Sequence, residues 1–373
     1  MRAPVATHGA RRSNVRPLRP VVITGGAGFL GANLADRLAG EGVPVVVLDS
    51  LARPGVELNL EWLKERHGKL VAPVIADIRD AEAVAETVRN ARAVLHLAAQ
   101  VAVTTSLEDP VHDFEANARG TLNVLEALRR QNDPPPLLFA STNKVYGKLF
   151  GASALGRSRS RWEPRREEHK QGCDEATLLD FYSPYGCSKG VADQYVLDYA
   201  RVFGLPTLVF RMSCLYGPRQ FGNEDQGWIA HFLIRALRGE PITIFGDGRQ
   251  VRDALYVDDA VSAWLAGLHG IDRLRGRVFN LGGGPANTLS LLEMLEHVER
   301  LTGRAPEVHF DEPRPGDQLW YVSDTRALEQ ATGWRARIGL EAGLERLTVW
   351  LRRHVVPERS GKAAAAAFRE ARA

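Results

Sequence analysis

The sequence Thr24-Gly25-Gly26-Ala27-Gly28-Phe29-Leu30-Gly31 stands between a short apolar run, Pro20-Val21-Val22-Ile23, and an amphipathic run that ends near Gly40. Glycines at positions 25, 28 and 31 allow a tight turn, close approach of the backbone to a pyrophosphate, and close packing of a helix on a strand. The N-terminus of that helix would face the phosphate charge. Because a strand precedes the glycines and a helix follows them, this stretch predicts a dinucleotide-binding turn.

A second predicted strand, Pro44 to Leu48, ends at Asp49. A carboxylate at this place can accept hydrogen bonds from both ribose hydroxyls of adenosine and would repel a 2′-phosphate, which favours NAD over NADP. Arg53 is close enough in the sequence to keep NADP open as an alternative.

Two further strands are predicted next. Leu70 to Ile75 leads to Asp77-Ile78, which we expect at the adenine edge, and Asp77 would also cap the helical run that begins at Ala81. Ala93 to Leu97 continues into Ala98-Ala99-Gln100, where small residues let a cofactor lie across the edge of the sheet.

A long helix, about Val111 to Arg130, and a fifth strand, Leu137 to Ala140, complete four successive strand–helix units. This alternation predicts an α/β fold with a doubly wound, parallel Rossmann sheet that binds its ligand at the carboxyl ends of the strands. Thr142 leaves the fifth strand and Tyr185 opens the next helix, so both fall at that edge. His96 is interpreted as a packed strand residue.

Tyr185-Gly186-Cys187-Ser188-Lys189 places a tyrosine four residues before a lysine, so both side chains lie on one face of the predicted helix. A phenol with a pKa near ~10 is a poor base at neutral pH. An ammonium one turn away favours the phenolate, and a nearby hydroxyl such as that of Thr142 favours it further. We expect the three groups to remove a proton from a substrate alcohol while a hydride leaves its carbon.

Length and charge bound the class of protein. The chain has 373 residues and is 45% hydrophobic, which suffices for one large core or two modest ones. Its formal charge is +3. The first nineteen residues hold five arginines and no acid, so the remainder sits near −2 and gives no indication of a nucleic-acid surface. This leader has no apolar run, so we interpret it as a disordered extension, with a transit peptide as the alternative, and expect no membrane association.

Three cysteines, Cys173, Cys187 and Cys214, show neither metal-ligand spacing nor an even disulfide framework. No metal site is predicted, and a reducing cytoplasm is the expected location.

The glycine stretch, Asp49, His96-Leu97-Ala98-Ala99, Thr142 and Tyr185-x-x-x-Lys189 together resemble the extended short-chain dehydrogenase/reductase family that modifies nucleotide sugars. The resemblance covers about residues 20 to 355. Longer blocks resemble its CDP-paratose 2-epimerase (CDP-tyvelose epimerase) subfamily: Ser141-Thr142-Asn143-Lys144-Val145-Tyr146-Gly147, Asp180-Phe181-Tyr182-Ser183-Pro184-Tyr185-Gly186-Cys187-Ser188-Lys189-Gly190, and Gly217-Pro218-Arg219-Gln220-Phe221 with Asp225-Gln226-Gly227-Trp228.

The resemblance implies NAD as cofactor, a nucleotide-sugar substrate with a CDP-hexose favoured, and a homodimer or homotetramer built on the helices near 111–130 and 184–202. It implies catalytic roles for Tyr185, Lys189 and Thr142 in oxidising the hexose at C2 and reducing the 2-keto sugar on its opposite face. The cofactor-binding residues that it implies are Gly25, Gly28, Phe29, Leu30, Gly31, Asp49, Asp77, Ile78, Leu97, Ala98 and Gln100, with Tyr185 and Lys189. The implied substrate-binding residues are Thr104, Asn143, Arg219, Arg252 and Arg314. The guanidinium groups of the three arginines suit a diphosphate.

Other reactions of the family remain as alternatives. Its sugar 4,6-dehydratases carry Asp or Glu directly after the Ser/Thr, whereas this chain has Asn143 and Lys144, which cannot serve as that acid. A 4-epimerase that uses the same residues to oxidise C4 stays open, as does a non-catalytic dinucleotide sensor, which the Tyr185/Lys189 pair disfavours. Lys144 would contact the sugar or a loop, or form a salt bridge with the acidic insert that follows.

Four regions are predicted: a disordered basic extension (1–19), a dinucleotide-binding domain (20–210), a smaller mixed lobe that mainly binds the nucleotide sugar (211–355), and a tail (356–373). Residues 148–178 interrupt the first domain with glycine, serine and many charges. We expect a solvated loop there, with a lid that includes Trp162 as the alternative.

Overall fold

The computed structural model describes residues 18–356. The predicted extension up to residue 17 and the tail from residue 357 lie outside the described residues. Arg19, which was predicted to belong to the extension, contacts the body of the protein. Its guanidinium donates hydrogen bonds to the carbonyls of Asn90 at 3.4 Å and Ala91 at 2.8 Å. The body therefore begins no later than Arg19.

Fifteen strands and thirteen α-helices occur between residues 18 and 356. The strands are Val21–Thr24 (β1), Val45–Asp49 (β2), Val71–Ile75 (β3), Ala93–His96 (β4), Leu137–Thr142 (β5), Leu155–Arg157 (β6), Trp162–Pro164 (β7), Thr207–Met212 (β8), Cys214–Tyr216 (β9), Ile242–Phe245 (β10), Val251–Tyr256 (β11), Arg277–Leu281 (β12), Thr288–Ser290 (β13), Val308–Asp311 (β14) and Trp320–Tyr321 (β15). The helices are Phe29–Gly40 (α1), Val56–His67 (α2), Ala81–Val88 (α3), Val103–Glu108 (α4), Pro110–Phe114 (α5), Gly120–Arg129 (α6), Pro184–Phe203 (α7), Trp228–Arg238 (α8), Val257–His269 (α9), Ile271–Leu274 (α10), Leu291–Thr302 (α11), Arg326–Thr332 (α12) and Leu340–His354 (α13).

The central sheet has seven parallel strands in the order β12-β8-β5-β4-β1-β2-β3. The chain winds outward from β1 in one direction through β2 and β3, and in the other through β4 and β5. The order thus reverses between β1 and β4, where the carboxyl ends of the strands form a ligand-binding crevice. The prediction of a doubly wound Rossmann sheet is confirmed.

Helices cover both faces of this sheet. Side chains on one face, such as those of Ile23 and Val47, pack against α1, α2 and α9. Side chains on the other face, such as those of Val22 and Phe139, pack against α3, α6 and α7. Alternate strand residues are therefore buried on opposite faces, as both-sided burial of a parallel sheet requires.

The predicted 111–130 helix forms as α5, a π-helical turn Glu115–Arg119, and α6 in direct succession. The helix predicted from Pro184 is confirmed as α7. Pro184 occupies its first turn and the Ser183 hydroxyl accepts from the backbone N–H of Gly186 at 3.0 Å, which fixes where the helix begins.

The second lobe contains two small sheets. One sheet has the strand order β13-β11-β15, and β9 also pairs with β11. In the other sheet, β10 pairs with β14. Strand β12 falls within the range predicted for this lobe, but it belongs to the central sheet, where it pairs with β8. The domain boundaries themselves remain a prediction.

The insert at 148–178 contains an antiparallel hairpin of β6 and β7. Leu155 is buried in an apolar cluster with Val251 of the second lobe, and the Arg161 guanidinium lies 2.6 Å from the Glu293 carboxylate. The expectation of a solvated loop is therefore wrong for residues 155–164. Apolar burial and a half-buried ion pair hold this hairpin on the second lobe.

No helix within residues 18–356 is long and apolar enough to cross a bilayer. In the same part of the chain, no group of three His, Cys, Asp or Glu side chains is arranged to hold a metal ion.

Candidate active site

Thr142, Tyr185 and Lys189 meet at the carboxyl edge of the central sheet. Thr142 is the last residue of β5, and Tyr185 and Lys189 lie one turn apart on α7. All three are buried, Tyr185 with 8% and Lys189 with 2% of its surface exposed. The Thr142 side chain lies close enough to the Tyr185 phenol to lower its pKa. The structure thus brings together the three residues predicted to be catalytic, and their roles remain predictions.

Burial controls the protonation of this pair. It raises the pKa of Tyr185 to about 12, an effect that Thr142 opposes and the Asp113 carboxylate reinforces. Burial also lowers the pKa of Lys189 to about 7, against the influence of Asp193 and Asp113. At neutral pH the phenol is therefore protonated in this state.

A buried hydrogen-bond network lies behind the pair. The Ser188 hydroxyl donates to the Asp113 carboxylate, and the Asn117 amide donates to Asp113 at 3.1 Å and to Ser188 at 3.0 Å. The side-chain oxygen Oδ1 of Asn117 accepts from the backbone N–H of Gln100 at 2.8 Å. The network ties α7 to the loop after β4. Its three side chains were not predicted from the sequence, although Asp113 and Asn117 at a spacing of four residues were an available signal.

His96 is the last residue of β4 and is fully buried. Its Nδ1 is 2.6 Å from the Thr24 hydroxyl and its Nε2 is 3.0 Å from the Thr121 hydroxyl. Burial, together with the charge of Lys189, lowers the pKa of His96 to about 3, so it stays neutral. Its interpretation as a packed strand residue is confirmed.

The glycine turn fits a pyrophosphate. Gly25 has φ +67°, and an added Cβ there would lie 2.7 Å from the Ala98 nitrogen. An added Cβ at Gly31 would lie 2.3 Å from the Gly25 carbonyl oxygen. Gly28 begins α1 with no side-chain cap, which leaves the first backbone N–H groups of that helix to an anionic ligand. Only glycine lets the backbone approach this closely.

Asp49 lies beside this turn at the end of β2. Its carboxylate accepts from the backbone N–H groups of Ala27 at 3.0 Å and Leu51 at 2.9 Å. Burial raises the pKa of Asp49, while these hydrogen bonds lower it. Burial lowers the pKa of Arg53, the residue that kept NADP open, and the charge of Asp225 in the second half of the chain raises it.

The other predicted cofactor residues flank the same crevice. Phe29 and Leu30 open α1, and Leu97 and Ala98 lie against Gly25. The Gln100 side chain folds onto its own loop and bonds both backbone groups of Ala102, at 2.7 and 2.8 Å.

Asp77 and Ile78 follow β3. Ile78 is buried, and its side chain packs so close to Gly120 that a Cβ added there would lie 2.8 Å from it. Asp77 pairs with Arg79 at 2.7 Å, whereas Asp80 caps α3 by accepting from the N–H groups of Glu82 and Ala83. The expectation that Asp77 caps this helix is therefore wrong, because Asp80 is adjacent to its first turn.

Four of the five predicted substrate residues contact polar side chains in the second half of the chain. Arg252 pairs with Asp317, and the Asn143 amide donates to Gln318 at 3.2 Å. The Arg314 guanidinium lies 3.8 Å from the centre of the Phe245 ring and donates to Glu224 at 3.0 Å. The Thr104 hydroxyl donates to Asp225 at 2.8 Å.

Arg219 is not part of this group. Its guanidinium lies 3.7 Å from the centre of the Trp62 ring on α2 and 5.7 Å from that of Trp350 on α13. The expectation that Arg219 clamps the diphosphate together with Arg252 does not match this placement. A backbone φ of +73° at Arg219 turns its side chain toward α2.

Of the two alternatives for Lys144, the structure shows a contact to a loop. Its ammonium lies 3.6 Å from Asp317 and donates to the Gly316 carbonyl at 3.2 Å. The predicted salt bridge to the acidic insert is wrong, because the 3₁₀ turn Asn143–Tyr146 directs Lys144 toward the second lobe.

Replacing Lys189 with methionine is expected to stabilise the cofactor-free protein at neutral pH. The folded pocket lowers the ammonium pKa from 10.5 to about 7, so wild type carries the full cost of burying the charge below that pH. The cost disappears as the pH rises toward 10.5, because the folded state releases this proton before the unfolded chain does. We expect a gain of about 4 kcal/mol in the free energy of unfolding near neutral pH, which falls to about 1 kcal/mol at about pH 10.

Urea unfolding at both pH values measures this effect, with the exposed Lys64→Met on α2 as the matched control. A Lys189→Met protein less stable than wild type at both pH values would contradict the assignment. It would mean that contacts of the ammonium, such as the Phe139 ring 4.3 Å away, outweigh its desolvation.

Comparison with known proteins places this geometry in a family. The sequence model of the NAD dependent epimerase/dehydratase family matches residues 21–282. A CDP-paratose 2-epimerase from Salmonella typhi is 40% identical over 337 residues, covering 88% of this chain and 98% of that protein. A dTDP-glucose 4,6-dehydratase from Xanthomonas campestris is 30% identical over 351 residues, covering 88% of this chain and 92% of that protein.

Among solved structures, the Thermus thermophilus UDP-glucose 4-epimerase in complex with NAD matches with a TM-score of 0.74 and 34% identity. The match covers 90% of this chain and 100% of that one. Since the family model spans most of the described residues and the glycine turn and Asp49 suit a dinucleotide, the chain belongs to the NAD-dependent epimerase/dehydratase family of nucleotide-sugar enzymes, with NAD as its cofactor.

Proposed function

We propose that this protein epimerises a nucleotide-activated hexose at C2, with CDP-paratose or a related CDP-hexose as substrate. The observation that carries the proposal is the composition of the pocket: Thr142, Tyr185 and Lys189 are buried together, and the positions after Thr142 hold Asn143 and Lys144 in place of a carboxylic acid. Such a pocket can move a proton on and off an alcohol but lacks the acid that elimination of water needs. The 40% identical CDP-paratose 2-epimerase supports the C2 position.

In this proposal the protein residues handle the proton. Tyr185 accepts the proton of the C2 hydroxyl, and Thr142 holds the oxygen of that hydroxyl by a hydrogen bond. Lys189 supplies positive charge one helical turn from Tyr185. NAD supplies the hydride acceptor and donor and, when oxidised, a formal positive charge. A positive charge beside a buried phenol lowers its pKa, so Tyr185 gains basicity in the state in which the alcohol must be deprotonated.

The remaining polar groups of the cleft would bind the nucleotide. Gly25, Gly28 and Gly31 would cradle the pyrophosphate of NAD, and Asp49 would accept from its ribose. Arg252 and Arg314 would bind the substrate diphosphate, for which planar guanidinium groups provide paired donors. Each of these two arginines now pairs with a carboxylate, Asp317 or Glu224, which a diphosphate would replace or share.

A substrate panel tests the proposal. Purified protein with NAD is incubated separately with CDP-paratose, UDP-glucose and GDP-mannose, and the products are identified by NMR. We expect inversion at C2 of the CDP sugar and none at C4 of UDP-glucose. Inversion at C4 alone would favour the second candidate, a 4-epimerase, which the 34% identical UDP-glucose 4-epimerase supports. Binding of NAD without turnover of any sugar would favour a dinucleotide sensor.

We also propose that the protein forms a homodimer, or a tetramer built from such dimers, through α7 and the helices α5 and α6. These helices expose large apolar side chains, including Val111 at 71% and Val202 at 59%. An apolar surface of this kind on paired helices is typical of a protein–protein interface.

The double substitution Val111→Glu and Val202→Glu is expected to raise the dimer dissociation constant at least about 100-fold, because charges would be buried without partners. Sedimentation velocity measures the change. Val349→Glu, at an equally exposed position of α13 (68%), is the control and should leave the dimer intact. A dimer that survives the double substitution would place the interface elsewhere.

A further inference from the structure

Lys144 occupies a buried position beside the proposed catalytic residues that the proposed mechanism does not use. It follows Thr142 by two residues, and its backbone carbonyl oxygen would lie 3.2 Å from a Cβ at Gly186, the neighbour of Tyr185. Only 19% of its side chain is exposed. The backbone of Lys144 thus lies beside the start of α7, and most of its side chain is shielded from solvent.

The ammonium connects the two sides of the cleft. It donates to the Gly316 carbonyl at 3.2 Å and lies 3.6 Å from Asp317, both in the second lobe. A Cβ added at Gly316 would lie 3.6 Å from the Cβ of Ser183, the cap of α7. Lys144, the Gly316–Asp317 turn and the start of α7 therefore surround one end of the proposed sugar site.

The charges around Lys144 leave it with capacity for an anion. One Asp317 oxygen serves both Lys144 and Arg252, so two cations share a single carboxylate. Burial lowers the pKa of Lys144, while Asp317 raises it and Arg252 lowers it further. An ammonium has three donors, and this one donates to the Gly316 carbonyl while Asp317 is an ion-pair partner at 3.6 Å, so it can donate further to an oxygen of a ligand. The excess positive charge favours a phosphate oxygen.

The position of this cation bears on which carbon reacts. In a nucleotide sugar the phosphate is attached to C1, so C2 is the carbon next to the phosphate-bearing one, whereas C4 lies two carbons farther along the ring. For C2 to face Tyr185, the phosphate must bind close to Tyr185 and Thr142. Lys144 follows Thr142 by two residues and provides a phosphate-binding cation, next to Arg252 on the same Asp317 oxygen.

We propose that Lys144 is a specificity-determining residue that binds the sugar-linked phosphate of the substrate and thereby presents C2, and not C4, to Tyr185. The inference rests on the proposed C2 epimerisation and assigns the choice of carbon to one side chain.

Lys144→Met tests the contact directly. Calorimetry measures binding of CDP, CMP, UDP and UMP. The comparison of each diphosphate with its monophosphate isolates the contact to the second phosphate, and the comparison of cytidine with uridine nucleotides isolates the contact to the base. We expect Lys144→Met to weaken diphosphate binding about 10- to 100-fold and to leave monophosphate binding unchanged. Lys144→Arg should retain most of the diphosphate affinity. Lys148→Met, a neighbouring lysine whose ammonium lies over the Tyr182 ring, is the matched control.

Turnover supplies the second readout. We expect Lys144→Met to lose C2 inversion of the CDP sugar through a raised KM, with NAD content unchanged, and Lys144→Arg to restore it. Equal loss of CDP and CMP binding would mean a structural role and would overturn the inference, as would unchanged CDP binding. Lys144→Gln replaces Lys144→Met if the latter does not fold. A wild-type protein without C2 activity on any CDP sugar would instead refute the proposed function.

Discussion

Tyr185→Phe is expected to lower kcat at least about 10³-fold while NAD remains bound, because the substitution removes only the phenol oxygen that would transfer the proton. The aromatic ring keeps its place in the buried first turn of α7. Stability should change little, since the buried aromatic ring is retained. Steady-state turnover of the substrate, together with the NAD content of the purified protein, measures both parts of the expectation.

Tyr182→Phe provides the matched control. Tyr182 stands three residues earlier, before the helix begins, and is exposed. The Tyr182→Phe variant should retain full turnover. Full activity of Tyr185→Phe would refute the assignment of the proton-transfer group. Loss of bound NAD in that variant would mean that the phenol serves mainly to hold the cofactor.

Gly31→Ala is expected to weaken NAD binding at least about 100-fold, because the glycine turn cannot keep its conformation with a side chain there. The new Cβ would lie 2.3 Å from the Gly25 carbonyl oxygen and 2.7 Å from the Gly26 Cα, which are backbone atoms that cannot move aside separately. Displacing them shifts the N–H groups that would face the pyrophosphate. Fluorescence titration with NADH on cofactor-free protein measures the affinity.

Gly40→Ala, at the end of the same helix, is the control for this prediction. A Cβ there would meet its nearest neighbour, His67, only at 4.0 Å, so affinity should be unchanged and stability unchanged or slightly raised. If Gly31→Ala bound NADH as tightly as Gly40→Ala does, the dinucleotide would not lie on this turn.

The central sheet was predictable because its strands are short, continuous apolar runs, each followed by a turn and an amphipathic helix. β1, for example, reads Val-Val-Ile-Thr and is buried at every position. The return of β12 to this sheet was not predictable in the same way. Its five residues have no local feature that distinguishes a partner in the central sheet from one in the small sheets. Tertiary pairing decided its place.

The candidate site was predictable where residues follow directly from the ends of elements. Thr142 ends β5, and Tyr185 and Lys189 open α7, so the parallel topology alone brings them to one edge. Arg219 and Lys144 depend on more than topology. The direction of Arg219 follows from a positive φ that the sequence does not announce in a non-glycine residue, and the partner of Lys144 lies far along the chain in a loop.

The central claim is that a hydride leaves C2 of the sugar and returns to the same carbon, with Tyr185 moving the accompanying proton. A CDP-hexose carrying deuterium at C2 tests it most directly when NMR follows the label during interconversion. We predict that the deuterium stays on C2 in both epimers, that the rate falls by a primary isotope effect, and that deuterium at C4 has no such effect. Exchange of the C2 label with solvent, or a primary isotope effect from C4 and not from C2, would contradict the account.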